Sequence, residues 1–557
     1  MRRLSWIAVV LSIALAANVA SAAPHKPNPA WPSVEQQLAK DKVEAGSPLE
    51  KFIRANQDLH LLRAEEAGDK IPVPGWLRVA WRKAHPEGHY TGDDPTGGYP
   101  HVLKEMHEWM VKHQDLVPTE ADIWKAAEDD EDAVVVGEKS VGTDRRISGL
   151  QTIARSESDI RIDYWNPNRI IAGSNNIGGS GQQAMYWSHD GGNTWGQTFL
   201  PLAGDNYHSD PTVDWQSNGT AWSTTLGIKG FSLVLRVYNS ANGGQTWSYV
   251  NSPSARQKAV DKQMKWVDHS ATSPYKDSMY ICWHNNQPQF VARRTAAGTW
   301  NGPLQISGAE SSGTAIGCDV RTNSAGEAFV FWPTTGNRRI VVSKSTNGGA
   351  NWGAGKVIAT TFDGYDIGVP AFNSRRILIY ASGSAYKTAT VNNVYASWTD
   401  LTGAAGCTSA ANEPGSNALS TCKARIWFAR STDGGTTWGA PVMINNQPTL
   451  NDQFNQWLGV DETTCRLAII YYDTVDDPTR KKTHVYYQTS TDNGATWSLA
   501  TRITSLSTDE TIAGADSGNQ YGDYNSLSIH AGKIFPSWTD RRNNGKEEIW
   551  TAPIQEP

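Results

Sequence analysis

From about residue 133 to Pro557, short apolar runs alternate with turn-forming residues in a pattern that repeats along the chain. Ile162 and Asp163, Val213 and Asp214, Val267 and Asp268, Val320 and Arg321, Val460 and Asp461, and Ile529 and His530 each end an apolar strand just before a turn. A second strand follows, ending in an aromatic such as Trp222, Trp283, Trp332, Tyr472 or Trp538. This pattern predicts many short strands joined by tight turns, hence an all-β repeat domain.

An eight-residue phrase marks the same register further along each repeat. STDGGTTW at Ser431–Trp438 recurs as SHDGGNTW from Ser188, SANGGQTW from Ser240, STNGGANW from Ser345 and STDNGATW from Ser490. Its chemistry is that of a hairpin turn. Asp190, Asn242, Asn347, Asp433 and Asp492 can bond backbone amides two residues on, and Gly192, Gly244, Gly349, Gly435 and Gly494 tolerate positive φ. The closing tryptophan tucks against the hairpin. The phrase resembles the Asp box of sialidases and other β-propeller proteins. That resemblance implies a propeller with the phrase on the rim, between the two outer strands of a blade and away from the catalytic face.

Spacing counts the blades. The phrases start at 188, 240, 345, 431 and 490, giving intervals of 52, 105, 86 and 59. The interval of 105 is two units, with an eroded copy at Arg294–Trp300, and that of 86 is one unit plus an insertion of about thirty residues. After the last phrase the chain has three strands, so a strand from the N-terminal side, within Ala133–Val141, is expected to complete that blade. Seven blades result, with six as the alternative, and six is the number in the sialidase family.

The first part of the chain reads differently. Arg2 and Arg3 before the apolar stretch Leu4–Ala17, with Ala20 and Ala22 before a cut at Ala23, predict a signal peptide over 1–22 and a secreted or periplasmic bacterial protein. Residues 23–132 read as a small helical region: Val102, Leu103, Met106, Trp109 and Met110 follow helical spacing, and Thr119 opens a second helix. Pro72–His85 reads as an amphipathic element, and Glu128–Asp132 as an acidic linker. His85, His89, His101, His107 and His113 lack ligand spacing for a metal.

Composition narrows the function classes. The formal charge is −6, which loss of the leader takes to −8, and there is no basic patch for nucleic acid. No membrane span is expected, and the protein is expected to be a monomer. Cys407 and Cys422, fifteen apart in a Gly-, Ala- and Ser-rich insertion, suit a local disulfide; Cys282 and Cys318, on strands of successive blades, form a second candidate pair, and Cys465 is left over.

In a propeller the starts of the innermost strands converge on one mouth. Counting back from each turn places Arg155, Asp159, Asp210, Asp261, Lys262, Cys318, Asp319, Asp366, Asp452, Asp523 and Tyr524 there; the plain alternative is that the repeated aspartates cap strands and bond loop amides. The sialidase resemblance implies a neutral tyrosine nucleophile, a glutamate that takes its proton, an aspartate acid and base, and three arginines for the substrate carboxylate. GDYNSLSIHAG at Gly522–Gly532 is similar to the tyrosine stretch of that family. It makes Tyr524 the candidate nucleophile, and Asp210, at the equivalent position of the second blade, the candidate acid and base. Arg155, Arg321, Arg541 and Asp523 are the candidate substrate-binding residues. Two elements of the family pattern are missing: Arg161-Ile162-Asp163 stands where Arg-Ile-Pro belongs, and Gly317 and Cys318 occupy the fourth blade's glutamate position.

The sequence therefore leads to an exo-acting glycoside hydrolase on an acidic sugar such as sialic acid, with no required cofactor. A propeller that binds glycan or protein without chemistry is one alternative. A polysaccharide lyase with a calcium ion held by the aspartate ring is another.

Overall fold

The computed structural model describes residues 140–556, apart from 150, 177, 409–411, 416, 543 and 544. The expected leader, helical region and acidic linker lie outside the described residues, as do the five histidines and the Pro72–His85 element.

Each repeated phrase closes the outer hairpin of a sheet through one set of bonds. Ser188 Oγ accepts the Gly192 N–H at 2.9 Å and donates to Asp190 at 2.8 Å. Asp190 in turn accepts the N–H groups of Asn193 and Thr194 at 3.0 and 2.9 Å. The aspartate thus reaches amides three and four residues on, not two, because the serine hydroxyl occupies the nearer turn. The Ser-to-Gly bond recurs from Ser240, Ser345, Ser431 and Ser490 at 2.8–2.9 Å. Gly192 has φ of 85°, and a Cβ there would come within 2.6 Å of the Phe535 ring, so glycine is needed on both counts.

Seven antiparallel blades form, each with a body of four strands; one short strand extends the sheet of blade 6 and two extend that of blade 7, and a two-stranded hairpin stands outside the blades. Blade 1 comprises Asp159–Ile162, Ile170–Ser174, Ala184–Ser188 and Gly196–Phe199; blade 2, Tyr207–Trp215, Ala221–Lys229, Ser232–Ser240 and Ser248–Asn251. Blade 3 comprises Val260–Val267, Met279–Asn285, Gln289–Arg294 and Trp300–Gln305; blade 4, Asp319–Thr322, Ala328–Thr334, Arg339–Ser345 and Lys356–Thr360. Blade 5 comprises Ser382–Lys387, Asn392–Leu401, Ala424–Ser431 and Val442–Met443; blade 6, Gln453–Val460, Leu467–Asp473, Lys482–Ser490 and Thr501–Arg502. Blade 7 has Ser526–His530, Lys533–Asp540 and Glu548–Thr551, and its fourth strand is Arg145–Arg146, paired with Thr551 and Trp550. That strand lies beyond the expected Ala133–Val141 window, whose end, Ser140–Val141, pairs with Gln555 and Ile554.

First strands pack on one another around the ring, and that of blade 7 packs on that of blade 1. Aspartates on them staple blade to blade: Asp159 accepts the Val213 N–H at 2.8 Å, Asp214 that of Val267 at 2.7 Å, Asp319 that of Gly383 at 2.8 Å and Asp461 that of Gly532 at 2.7 Å. Between blades the core is aromatic, with Trp215, Trp283, Trp332, Trp398, Trp457 and Trp538 fully buried. Trp222 opens its strand rather than ending it.

The long interval before the fourth phrase holds two excursions instead of one insertion. Residues 402–423 sit between the second and third strands of blade 5 and carry the Cys407–Cys422 disulfide. Residues 361–381, between blades 4 and 5, carry a small hairpin, Asp366–Ile367 with Ile377–Leu378. Cys282 and Cys318 form the second disulfide and Cys465 is free. Among the described residues no helix is long and apolar enough to cross a membrane.

Candidate active site

The mouth is built by one backbone device used in five blades. Glu157, Asp210, Lys262, Gly317 and Asn455 all adopt left-handed φ, between 49° and 71°. Each stands six residues before the one whose N–H closes its strand-end turn: Asp163, Gln216, Asp268, Asn323 and Asp461. At Asp210, Lys262 and Asn455 the pairing register shifts, as at a bulge. Such a kink re-aims a side chain, and a non-glycine residue in this conformation costs energy that the surrounding structure must hold. Here the kinked residues, buried or nearly so, gather at the start of the inner strands.

Two carboxyl groups meet there. Asp210 and Glu157 are each 4% exposed and lie close enough for the charge of one to act on the other. Asn175 bridges them: its Oδ1 accepts the Asp210 N–H at 2.7 Å and its amide donates to Glu157. Asp210 Oδ1 accepts the Ser209 hydroxyl at 2.7 Å, whereas no protein N–H or O–H reaches its Oδ2. Burial, then the neighbouring charges of Glu157 and Asp261, push the Asp210 carboxyl well above the ordinary range. Burial also raises Asp261 to about 6, with His284 opposing and Glu157 adding to the rise.

Tyr524 lies against this pair, 1% exposed, with its ring 5.7 Å from Tyr380 and 6.3 Å from Trp457. Among the described residues its hydroxyl has no hydrogen-bond partner, nor do the Tyr365 hydroxyl, Asn455 Oδ1 and Asn525 Oδ1. Burial, then the charges of Asp210 and Glu157, hold the phenol well above its usual range. The next residue back, Asp523, pairs with Lys262 and Arg375, and its N–H donates to Glu157 at 3.3 Å.

The structure brings Tyr524, Asp210 and Asp523 together, but not the three arginines. Arg155 bonds to Asn176 in blade 1. Arg321 is neutralised by Asp319 at 2.7 Å and lies over Trp266 at 4.4 Å, lining a cavity of about 20 Å³ in the channel with Arg161, Tyr164 and Glu462. Arg541 donates to the carbonyls of Asp509, Gly545 and Ala513 at 2.9, 3.3 and 3.4 Å. The cations at the mouth are Lys262, which the sequence placed there, and Arg375, which it did not. Sequence reasoning also missed Glu157, although its spacing to Asp163 equals that of Asp210 to Gln216.

For a calcium ion the aspartate ring fits poorly. Asp159 accepts Val213 N–H, the Ser526 hydroxyl and Arg161. Asp319 accepts Gly383 N–H and Arg321. Each is committed to donors of its own, and among the described residues no three His, Cys, Asp or Glu side chains converge on a metal site.

No protein-family profile and no curated protein matches the chain. Among solved structures it is similar to a lectin from Burkholderia pseudomallei, at 13% identity and a TM-score of 0.41 over 62% of this chain and 84% of that one. It is also similar to NanB sialidase from Streptococcus pneumoniae, at 10% identity and 0.40 over 62% and 70%. An alpha-L-arabinofuranosidase of Fusarium graminearum matches at 12% identity and 0.39 over 74% and 98%. None of these activities transfers to this chain at such identity.

Proposed function

We propose that the protein is an exo-acting glycoside hydrolase working at the mouth of its propeller. The observation that carries this reading is a buried phenol with no hydrogen-bond partner among the described residues, Tyr524, near a buried carboxyl whose hold on its proton is strengthened by burial and by neighbouring charge, Asp210. Asp210 donates its proton to the departing glycosidic oxygen while Tyr524 attacks the anomeric carbon and its own proton passes to Glu157. Asp210, now a carboxylate, then takes a proton from water as that water attacks the anomeric carbon; the carbon–oxygen bond to Tyr524 breaks, and Glu157 returns its proton to the departing phenolate. Glu157 thereby supplies from blade 1 the base missing at the fourth blade. Burial leaves the phenol a poor nucleophile until that base acts, so Tyr524 and Glu157 work as a unit.

An acidic sugar such as sialic acid is the first substrate to test, because Lys262 and Arg375 bring positive charge to the mouth. The repeated rim phrase, read as the Asp box, and two disulfides suited to an oxidising compartment agree with a secreted enzyme of this kind. Hydrolysis of a fluorogenic sialoside, with Tyr524→Phe beside it and a released-sugar screen on other glycans, tests the reading. Turnover lost in the variant supports it, and silence of the folded parent on every glycan sinks it.

A second reading, a propeller that holds glycan without cleaving it, is favoured by Asp523, which already neutralises Lys262 and Arg375. Saturable glycan binding without product would select it.

A further inference from the structure

Beside the mouth, between blades 2 and 3, lies an open cleft of about 630 Å³, a volume within the range of small-molecule sites. Its walls are residues 254–259, which connect the two blades, the Asn285–Asn286 turn and Pro303. The strand register puts it on the mouth face. Val260, which begins the inner strand of blade 3, pairs with Asn285, and the turn that follows joins the second and third strands at that same end. Lys258 precedes Asp261 and Lys262 of the mouth by three and four residues, so at most about 14 Å of extended chain separates cleft from mouth.

The backbone of this cleft is committed to bonds and its charged side chains are not. Gln257 N–H donates to the Ser254 carbonyl at 3.1 Å, Ala259 N–H to Asn285 Oδ1 at 3.2 Å and Asn286 N–H to the Ala259 carbonyl at 3.2 Å. The Gln257 side chain accepts the Trp283 indole N–H at 2.6 Å, and Leu233 N–H donates to the Lys258 carbonyl at 2.9 Å, which ties on a hairpin of blade 2. The walls are therefore preformed. Arg256 and Lys258, by contrast, are exposed, and among the described residues their side chains have neither an ion pair nor a hydrogen bond. No aspartate or glutamate lines the cleft. Lys262 and Arg375 at the mouth are already paired with Asp523, so the uncommitted cations beside the mouth are those of the cleft. At the tip of the bordering hairpin Phe231 is fully exposed.

We propose that this cleft is a subsite for a negatively charged inner unit of an oligosaccharide whose end enters the mouth, so that the ligand is an acidic chain rather than a neutral glycan with one acidic cap. The proposal rests on the glycan-active reading above, but not on cleavage. Arg256 presents a planar fork that matches a carboxylate, and Lys258 adds a second charge. The Asn285 and Asn286 side chains can meet ring hydroxyls. Phe231 offers an apolar face to the C–H side of a sugar ring.

The test is titration calorimetry on the full chain carrying Tyr524→Phe, which spares the ligand from turnover. The probes are a sialic acid tetramer, a galacturonic acid tetramer, the two monosaccharides and neutral cellotetraose. One acidic tetramer should bind at least about tenfold tighter than its monosaccharide and than cellotetraose, and should weaken severalfold as salt rises from about 0.05 to 0.5 M. Arg256→Ala with Lys258→Ala should remove most of that advantage, and Phe231→Ala should weaken binding about threefold. All three side chains are exposed, so melting temperatures should hardly move. Acidic tetramers that bind no better than their monosaccharides or cellotetraose, affinity indifferent to the double variant, or displacement by an equal concentration of inorganic sulfate would each overturn the subsite. Sialoside turnover by the parent alongside any of these results would leave the hydrolase reading standing without the cleft. Tight binding that responds to the variants, in a parent that releases no sugar, would uphold the cleft and discard the hydrolase.

Discussion

The rim and the mouth of this propeller are both repeats, but they repeat different things. On the rim, five turns share one set of side chains, and the Ser-to-Gly bond recurs in all five within 2.8–2.9 Å. At the mouth, five blades share one backbone conformation and register while the residue changes from Glu157 to Asp210, Lys262, Gly317 and Asn455. Repetition of side chains marks a position where the fold needs one geometry. Repetition of backbone with divergent side chains marks a position that the fold supports and another demand fills.

The sharpest way to break this contrast is to exchange atoms at the mouth without changing shape. Tyr524→Phe and Asp210→Asn are expected to lower turnover at least about a thousandfold with little change in melting temperature; a large fall in stability with turnover intact would erase the distinction. On the rim the reverse holds. Ser431→Ala strands the Gly435 N–H and frees Asp433, so urea unfolding should show a loss of about 1–3 kcal/mol at unchanged turnover.

A pH profile sharpens the mouth further. Turnover needs Asp210 protonated, so it should fall as pH rises through the raised value of that carboxyl. Glu157→Gln removes a charge that raises it, so whatever turnover remains should lose its alkaline limb at a lower pH than the parent does. An unmoved limb would separate the two carboxyls functionally. The smallest effect belongs to Asn242→Asp, which exchanges two residues the rim already uses: less than about 0.5 kcal/mol in stability, and none in turnover.

These two kinds of repetition also explain what could be read from the sequence. The fold was legible because five rim phrases index the blades and their spacing favoured seven over six; the two cysteine pairs were candidates that the sequence left open and the structure joins. Tyr524 and Asp210 were legible as neighbours, since counting back from a turn glycine needs only the repeat. Glu157 was accessible to the same count but escaped it, because the resemblance directed the search for a glutamate to the fourth blade. Arg375 was beyond reach: it sits in a connection outside the repeat, and only the folded path of 361–381 carries it across the mouth. The arginines named from the sequence illustrate the opposite error. Proximity in register does not say whether a guanidinium faces the mouth or, as with Arg541, is used up by carbonyls of its own loop and of the stretch from Asp509 to Ala513.

The last blade has a consequence for timing. Its outer strand comes from one side of the ring and its other three from the opposite side, and Arg146 and Glu548, joined at 3.2 Å, are 402 positions apart. Contacts so distant in sequence demand the closure of a long loop before they return any stabilisation, so the seam of blade 7 is expected to be the last part of the ring to set; blade 7 amides protected during refolding as early as those of blades 2 to 4 would contradict this.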